Sequence, residues 1–234
     1  MTERKVSELV SLFSVYTAWI VVREFIPYLN RLVGLGRYHT WLLAAIRMTL
    51  LLLVSFAYIR AVERNCFRSG FNLSLQQIPK NIFWAVVFFL VAGLILMPYQ
   101  FFVVRPLTEG FVTASAGISH EATRPFADRL VEYLYILYEG VIEALIFVGF
   151  LLDRLARRWG WLAAIVVSNL AFALWHYHYL ESGLLTGILM MILTFLAGVP
   201  LSLAYLKTKN SLSPILCHTL IDSPMSIRIL LGMV

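Results

Sequence analysis

The sequence predicts an all-α chain that crosses a membrane repeatedly, a polytopic bundle of about seven transmembrane helices. Three observations carry this. Of 234 residues, 60% are hydrophobic and 14% are charged, against roughly 25% charged residues in an ordinary soluble domain. Several runs of about 20 largely apolar residues are long enough to cross a hydrocarbon core of about 30 Å. Many aromatic residues stand near the ends of those runs, where an interfacial belt sits. The net charge of +6 then reads as membrane topology and contact with anionic lipid, and nucleic-acid binding is not expected.

The first span, 6–29, follows Arg4 and Lys5. It has no small-residue cleavage site and is too long for the apolar core of a signal peptide, so it is read as a retained span. Further spans are placed at 41–62, 81–104, 130–152, 161–180, 183–206 and 212–232. Pro200 stands inside the sixth and would raise the count to eight if it split that helix; Pro224 interrupts the seventh. The segment 105–129 reads as a long irregular loop. The chain divides into N-terminal spans with that loop, 1–129, and a helical core, 130–234. Cys66 in a basic loop and Cys217 inside a span are poor partners, so no disulfide is implied.

Basic residues set the orientation. Arg4, Lys5, Arg60, Arg64, Arg68, Lys80, Arg154, Arg157, Arg158, Lys207 and Lys209 fall on one side if the spans alternate. Arg31, Arg37, Arg105, Arg124 and Arg129 fall on the other. The excess predicts a cytoplasmic N-terminus and an outer C-terminus for this multi-pass protein.

Ionisable groups at bilayer depth cost at least ~2.5 kcal/mol, so they face the interior, pair, or do chemistry. The fourth span carries Glu132, Glu139 and Glu143 on one face, with Tyr135 close by. The other face, Leu145 to Val148, can meet lipid or neighbouring helices. The fifth carries Asn169, Phe172 and His176 on one face. The last carries His218 and Asp222 one turn apart. Glu132 and His178 lie near span ends and read as solvated or interfacial. Arg23, Glu24 and Arg47 are explained by snorkelling or mutual pairing. Glu143 is different: it is mid-span, with no Lys or Arg within two turns on its own helix. A carboxyl taken out of water holds its proton more tightly, which suits a general base or acid working near pH 7.

These residues resemble the CPBP family, the CAAX proteases and bacteriocin-processing enzymes, which include glutamic intramembrane proteases. That family carries a Glu-Glu-x-x-x-Arg helix, a Phe-x-x-x-His motif and a His-x-x-x-Asn or His-x-x-x-Asp motif. Here Glu143-Ala-Leu-Ile-Phe147-Val-Gly149 matches the first in part, while Phe172-Ala-Leu-Trp-His176 and His218-Thr-Leu-Ile-Asp222 match the others fully. The run Ser211-Leu-Ser-Pro214-Ile also resembles the family's approach to its last motif, and the similarity covers about residues 130–224. Ala144 stands where the family has its second Glu and Val148 where it has Arg. Those positions are four apart, the spacing of a helical ion pair, so the change reads as removal of a supporting pair with the first Glu kept.

The resemblance implies an endopeptidase without cofactor or metal, acting on a lipidated or membrane-anchored peptide. Glu143 would be the general base and His176 would help hold a water. His218 and Asp222 would face the developing oxyanion, and Phe172 and Glu139 would contact substrate. Two histidines and a carboxylate also form a conceivable zinc set, though no His-Glu-x-x-His spacing is present. A Cys217–His176 dyad is a remoter option. Two other function classes stay open: a non-catalytic relative that binds a membrane peptide, as in bacteriocin immunity, and a proton-coupled transporter, for which no inverted repeat is visible. On straight helices, Glu143, His176 and His218 would lie ~15, ~22 and ~10 Å from the cytoplasmic ends of their spans. That spread of about 12 Å is left for tilt to absorb.

Overall fold

The computed structural model describes residues 12–25, 28, 37–108 and 125–231, and among these every regular element is a helix. Arg4, Lys5, Arg31, Arg124 and most of the expected loop 105–129 lie outside the described residues. The chain forms two compact units, Met1–Phe71 and Asn72–Val234.

In the first unit, α1 covers 12–25. Helix α2, Arg37–Tyr58, continues as a π-helix over Ile59–Glu63, and α3 is the single turn Phe67–Gly70. Trp19 is buried and its Nε1 donates to Ser55 Oγ at 3.2 Å, tying α1 to α2. A β-carbon on Gly70 would collide with Ile59 Cγ2, so only glycine lets α3 fold back on the π turn. Arg23 Nε lies 3.8 Å from Glu24 Oε1.

The second unit begins with α4, Ile78–Tyr99, which runs on as a π-helix over Gln100–Val104. Helix α5, Phe126–Glu143, passes into a π stretch, Ala144–Leu152, and then into α6, Asp153–Trp175. A 3-10 helix, Tyr177–Ser182, leads to α7, Leu184–Thr208, and α8, Leu212–Leu231, closes the chain. Helix α8 packs on α5, α4 and α7, and α7 packs on α4 and α6.

Polar clamps hold one end of this unit. Asn210 Oδ1 accepts from Ser74 N–H and Leu212 N–H, both at 3.1 Å, and its Nδ2 donates to Ser74 O at 2.6 Å. The start of α4 is thereby fastened to the α7–α8 turn. Tyr205 OH donates to Asp153 Oδ1 at 2.7 Å and accepts from Asn72 Nδ2 at 2.8 Å. Arg157 Nη2 reaches the other Asp153 oxygen at 2.6 Å.

Among the described residues, four helical runs are long and apolar enough to cross a membrane: Leu42–Glu63, Ile78–Thr108, Phe126–Trp175 and Leu184–Thr208. The third has 50 residues. Gly160 interrupts it with φ 75° and ψ 172°, a conformation that glycine adopts without a β-carbon penalty. The expected fourth and fifth spans fall on either side of that break. Pro200 does not split α7, and α8 runs through Pro224. The expected fifth span, 161–180, ends early: α-helix stops at Trp175 and the tighter 3-10 turn follows.

Candidate active site

Glu143 closes α5, and the nine residues after it form the π stretch. Wide turns of this kind recur at functional sites because they re-aim side chains. All nine are buried, so Leu145 to Val148 pack against protein and not lipid. Ala144 and Val148 are 1% and 3% exposed. Small apolar side chains fit there without the desolvation cost of an ion pair.

Glu143 is itself only 4% exposed. It faces imidazoles from two other helical segments: His176 Nε2 is 3.7 Å from Oε1, and His218 Nε2 is 3.9 Å from Oε2. His218 Nε2 also stands 3.4 Å from Asp222 Oδ2, one turn along α8. The three expected residues thus come together, from α5, from the end of α6 and from α8. The spread in depth expected from straight helices does not keep these side chains apart, since each imidazole stands within 4 Å of the Glu143 carboxylate.

The tautomer of His176 follows from its other nitrogen. Nδ1 lies 3.0 Å from Phe172 O, an acceptor only. Nδ1 therefore carries a proton, and in the neutral ring Nε2 turns a lone pair toward Glu143. Two acceptors then face each other, and a shared proton or a donor between them satisfies both.

Phe172 is 5% exposed and stands edge-on to both imidazoles, with centroids 5.0 Å from His176 and 5.8 Å from His218. It also leans on Phe147 at 5.2 Å. Phe172 is a buried wedge that sets the spacing of the two histidines. Glu139, half-buried, accepts from Tyr135 OH at 3.0 Å. Asn169 lies lower on α6, where its Oδ1 accepts from Ser202 Oγ at 3.1 Å, and a β-carbon on Gly198 would stand 2.6 Å from that oxygen. Asn169 therefore joins α6 to α7. His178 is exposed on the 3-10 turn, and Cys217 is buried.

Two residues escaped the sequence reading. Gly140 lets α8 lie against α5: a β-carbon there would be 3.1 Å from Asp222 Oδ2 and 3.7 Å from His218 Cγ. Tyr179 stacks on His176, with centroids 5.5 Å apart and planes at 24°. A glycine one turn before Glu143 and a tyrosine three after His176 were the available signals. Among the described residues, no group of three or more His, Cys, Asp or Glu is gathered closely enough to hold a metal ion.

Residues 127–223 match the family described as type II CAAX prenyl endopeptidase Rce1-like. This is the CAAX-protease family that the three motifs resemble, and the matched segment contains Glu143, His176, His218 and Asp222. No curated protein and no solved structure matches the chain. The apolar helices together with this family mark an integral membrane protein.

Proposed function

We propose, with the Rce1-like match of residues 127–223 as premise, that the chain is a glutamic-type intramembrane endopeptidase. Its substrate is a lipidated or membrane-anchored peptide presented from the bilayer. One observation carries the reading: a buried carboxylate stands within 4 Å of two imidazoles that reach it from two other segments, at 3.7 and 3.9 Å.

The mechanism uses these groups alone. A water donates one proton to Nε2 of His176 and the other to Glu143, which leaves its lone pairs directed at the scissile carbonyl. Glu143 takes a proton as the oxygen attacks. The carbonyl oxygen becomes an oxyanion and receives a hydrogen bond from His218 Nε2–H. Asp222, 3.4 Å from that same nitrogen, accepts the Nε2–H before substrate arrives and so favours the tautomer protonated there; the oxyanion then takes over that hydrogen bond. Glu143 then returns the proton to the leaving nitrogen, the C–N bond breaks, and a carboxylic acid and an amine result, which end as carboxylate and ammonium once the acid proton passes to the amine. Glu139 faces the incoming peptide, and Phe172 keeps the two imidazoles apart.

The same reading runs the chain through seven spans with a cytoplasmic N-terminus, as the excess of basic residues on one side supports. A second reading, binding of a membrane peptide without cleavage, is favoured by Ala144 and Val148, where the family carries a Glu and an Arg. Glu143→Gln separates the two. Comparing the membrane peptidome of cells carrying either form, the protease reading expects uncleaved substrates to accumulate and to co-purify with the variant. A binding protein would lose little, and its peptidome would not change.

A further inference from the structure

We propose that Tyr179 is a positioning residue that fixes the ring of His176 toward Glu143; its part in cleavage rests on the endopeptidase reading above. His176 stands one residue past the last α-helical position, at φ −94° and ψ 23°. The helix interior therefore does not hold it. The 3-10 turn that follows does. In a 3-10 helix, residues i and i+3 eclipse, and Tyr179 N–H donates to His176 O at 3.0 Å to close such a turn. The phenol ring comes to lie over the imidazole, offset-stacked at 5.5 Å. Phe172 bounds the imidazole from another side, edge-on at 5.0 Å, and its carbonyl holds Nδ1 at 3.0 Å. These three contacts leave Nε2 facing Glu143.

Tyr179 is anchored in turn by α7. Its hydroxyl hydrogen-bonds with Thr194. Thr194 Oγ1 is itself held on α7 by its bond to Met190 O at 3.0 Å. One α7 face receives the whole turn: Gly187, seven residues before Thr194, lies so close that a β-carbon there would stand 2.6 Å from Leu180 Cα. The phenol also lies within electrostatic reach of Glu143, Glu139 and Asp222, which sets it at the acidic site.

The test reads the ring directly, with or without turnover. Protein labelled with 15N-histidine is purified in detergent, and the His176 signal is assigned by its loss in His176→Gln. Wild type and Tyr179→Phe are expected to show one neutral, Nδ1-protonated imidazole. Tyr179→Leu is expected to collapse that signal to a tautomer average while the His218 signal stays in place. In parallel, kcat on a membrane peptide falls between about 10-fold and about 100-fold in Tyr179→Leu. KM stays within about twofold, the result expected when binding is spared, and Phe restores the rate. An unchanged His176 signal in Tyr179→Leu overturns the proposal, and so does Tyr179→Phe behaving like Leu. If the signals move as expected but wild type cleaves nothing, the positioning stands and the endopeptidase reading fails. Should Tyr179→Leu also disturb His218, Tyr179→Met takes its place: broadening confined to His176 supports the stack, and no change overturns it.

Discussion

Gly140 and Asp222 meet where α8 crosses α5, with Asp222 Oδ2 only 3.1 Å from the place a β-carbon on Gly140 would take. The contact is tight because both helices bring functional groups to one point. His218 Cγ lies 3.7 Å from the same place, so any added atom pushes on His218, which faces Glu143, and on Asp222, which stands against His218.

Gly140→Ala therefore separates stability from activity. Alanine in a helix interior gains about 0.5–1 kcal/mol over glycine. The variant should melt no lower than wild type by much, yet cleave at least about 10-fold more slowly, because a displacement of a few tenths of an ångström acts on His218 and Asp222. Thermal melts and initial rates on the same preparation check this. Full activity in Gly140→Ala would mean that the α5–α8 contact does not set the site.

Tyr205→Phe should do the reverse. Its hydroxyl links Asn72 to Asp153, far along α7 from the histidines. Losing a hydrogen bond to a charged partner costs about 1.5–3 kcal/mol. The melting temperature should fall while activity per folded molecule holds. Equal losses of both would show that the clamp reaches the site.

Cys66 reports orientation. It is exposed, Cys217 is buried, and both thiols are free. Hydrogen bonding with Ser69 holds the Cys66 thiol below its usual range, so more of it is thiolate at neutral pH. An impermeant maleimide should label it faster near pH 7 than an ordinary exposed cysteine, and the advantage should vanish once the pH exceeds the normal thiol range. With a cytoplasmic N-terminus, labelling occurs in inside-out vesicles and not in right-side-out ones. The opposite pattern inverts the proposed topology.

Much of the site was legible because the helical period alone puts Glu139 and Glu143 on one face and His218 above Asp222. Those faces depend only on spacing. The wide turn after Glu143 was not legible: Ala144–Leu152 is uniformly apolar, so no polar period exists to reveal a π-helix, which arises from packing on all sides. The end of α6 was missed because Tyr177, Tyr179 and Leu180 continue an apolar pattern through a 3-10 turn. Nothing in that pattern singles out Tyr179. Pro200 suggested a break that did not occur, since α7 simply forgoes one backbone hydrogen bond there.

The central claim is that Glu143 activates a water between two imidazoles, and the most direct measurement is cleavage of a membrane-anchored peptide by purified protein in liposomes, wild type against Glu143→Gln. Removing a general base that acts on a poorly acidic water should lower kcat by at least about 100-fold, while a pull-down still recovers the intact peptide with the variant. Cleavage by Glu143→Gln at the wild-type rate would contradict the account, as would intact binding and no cleavage by both proteins.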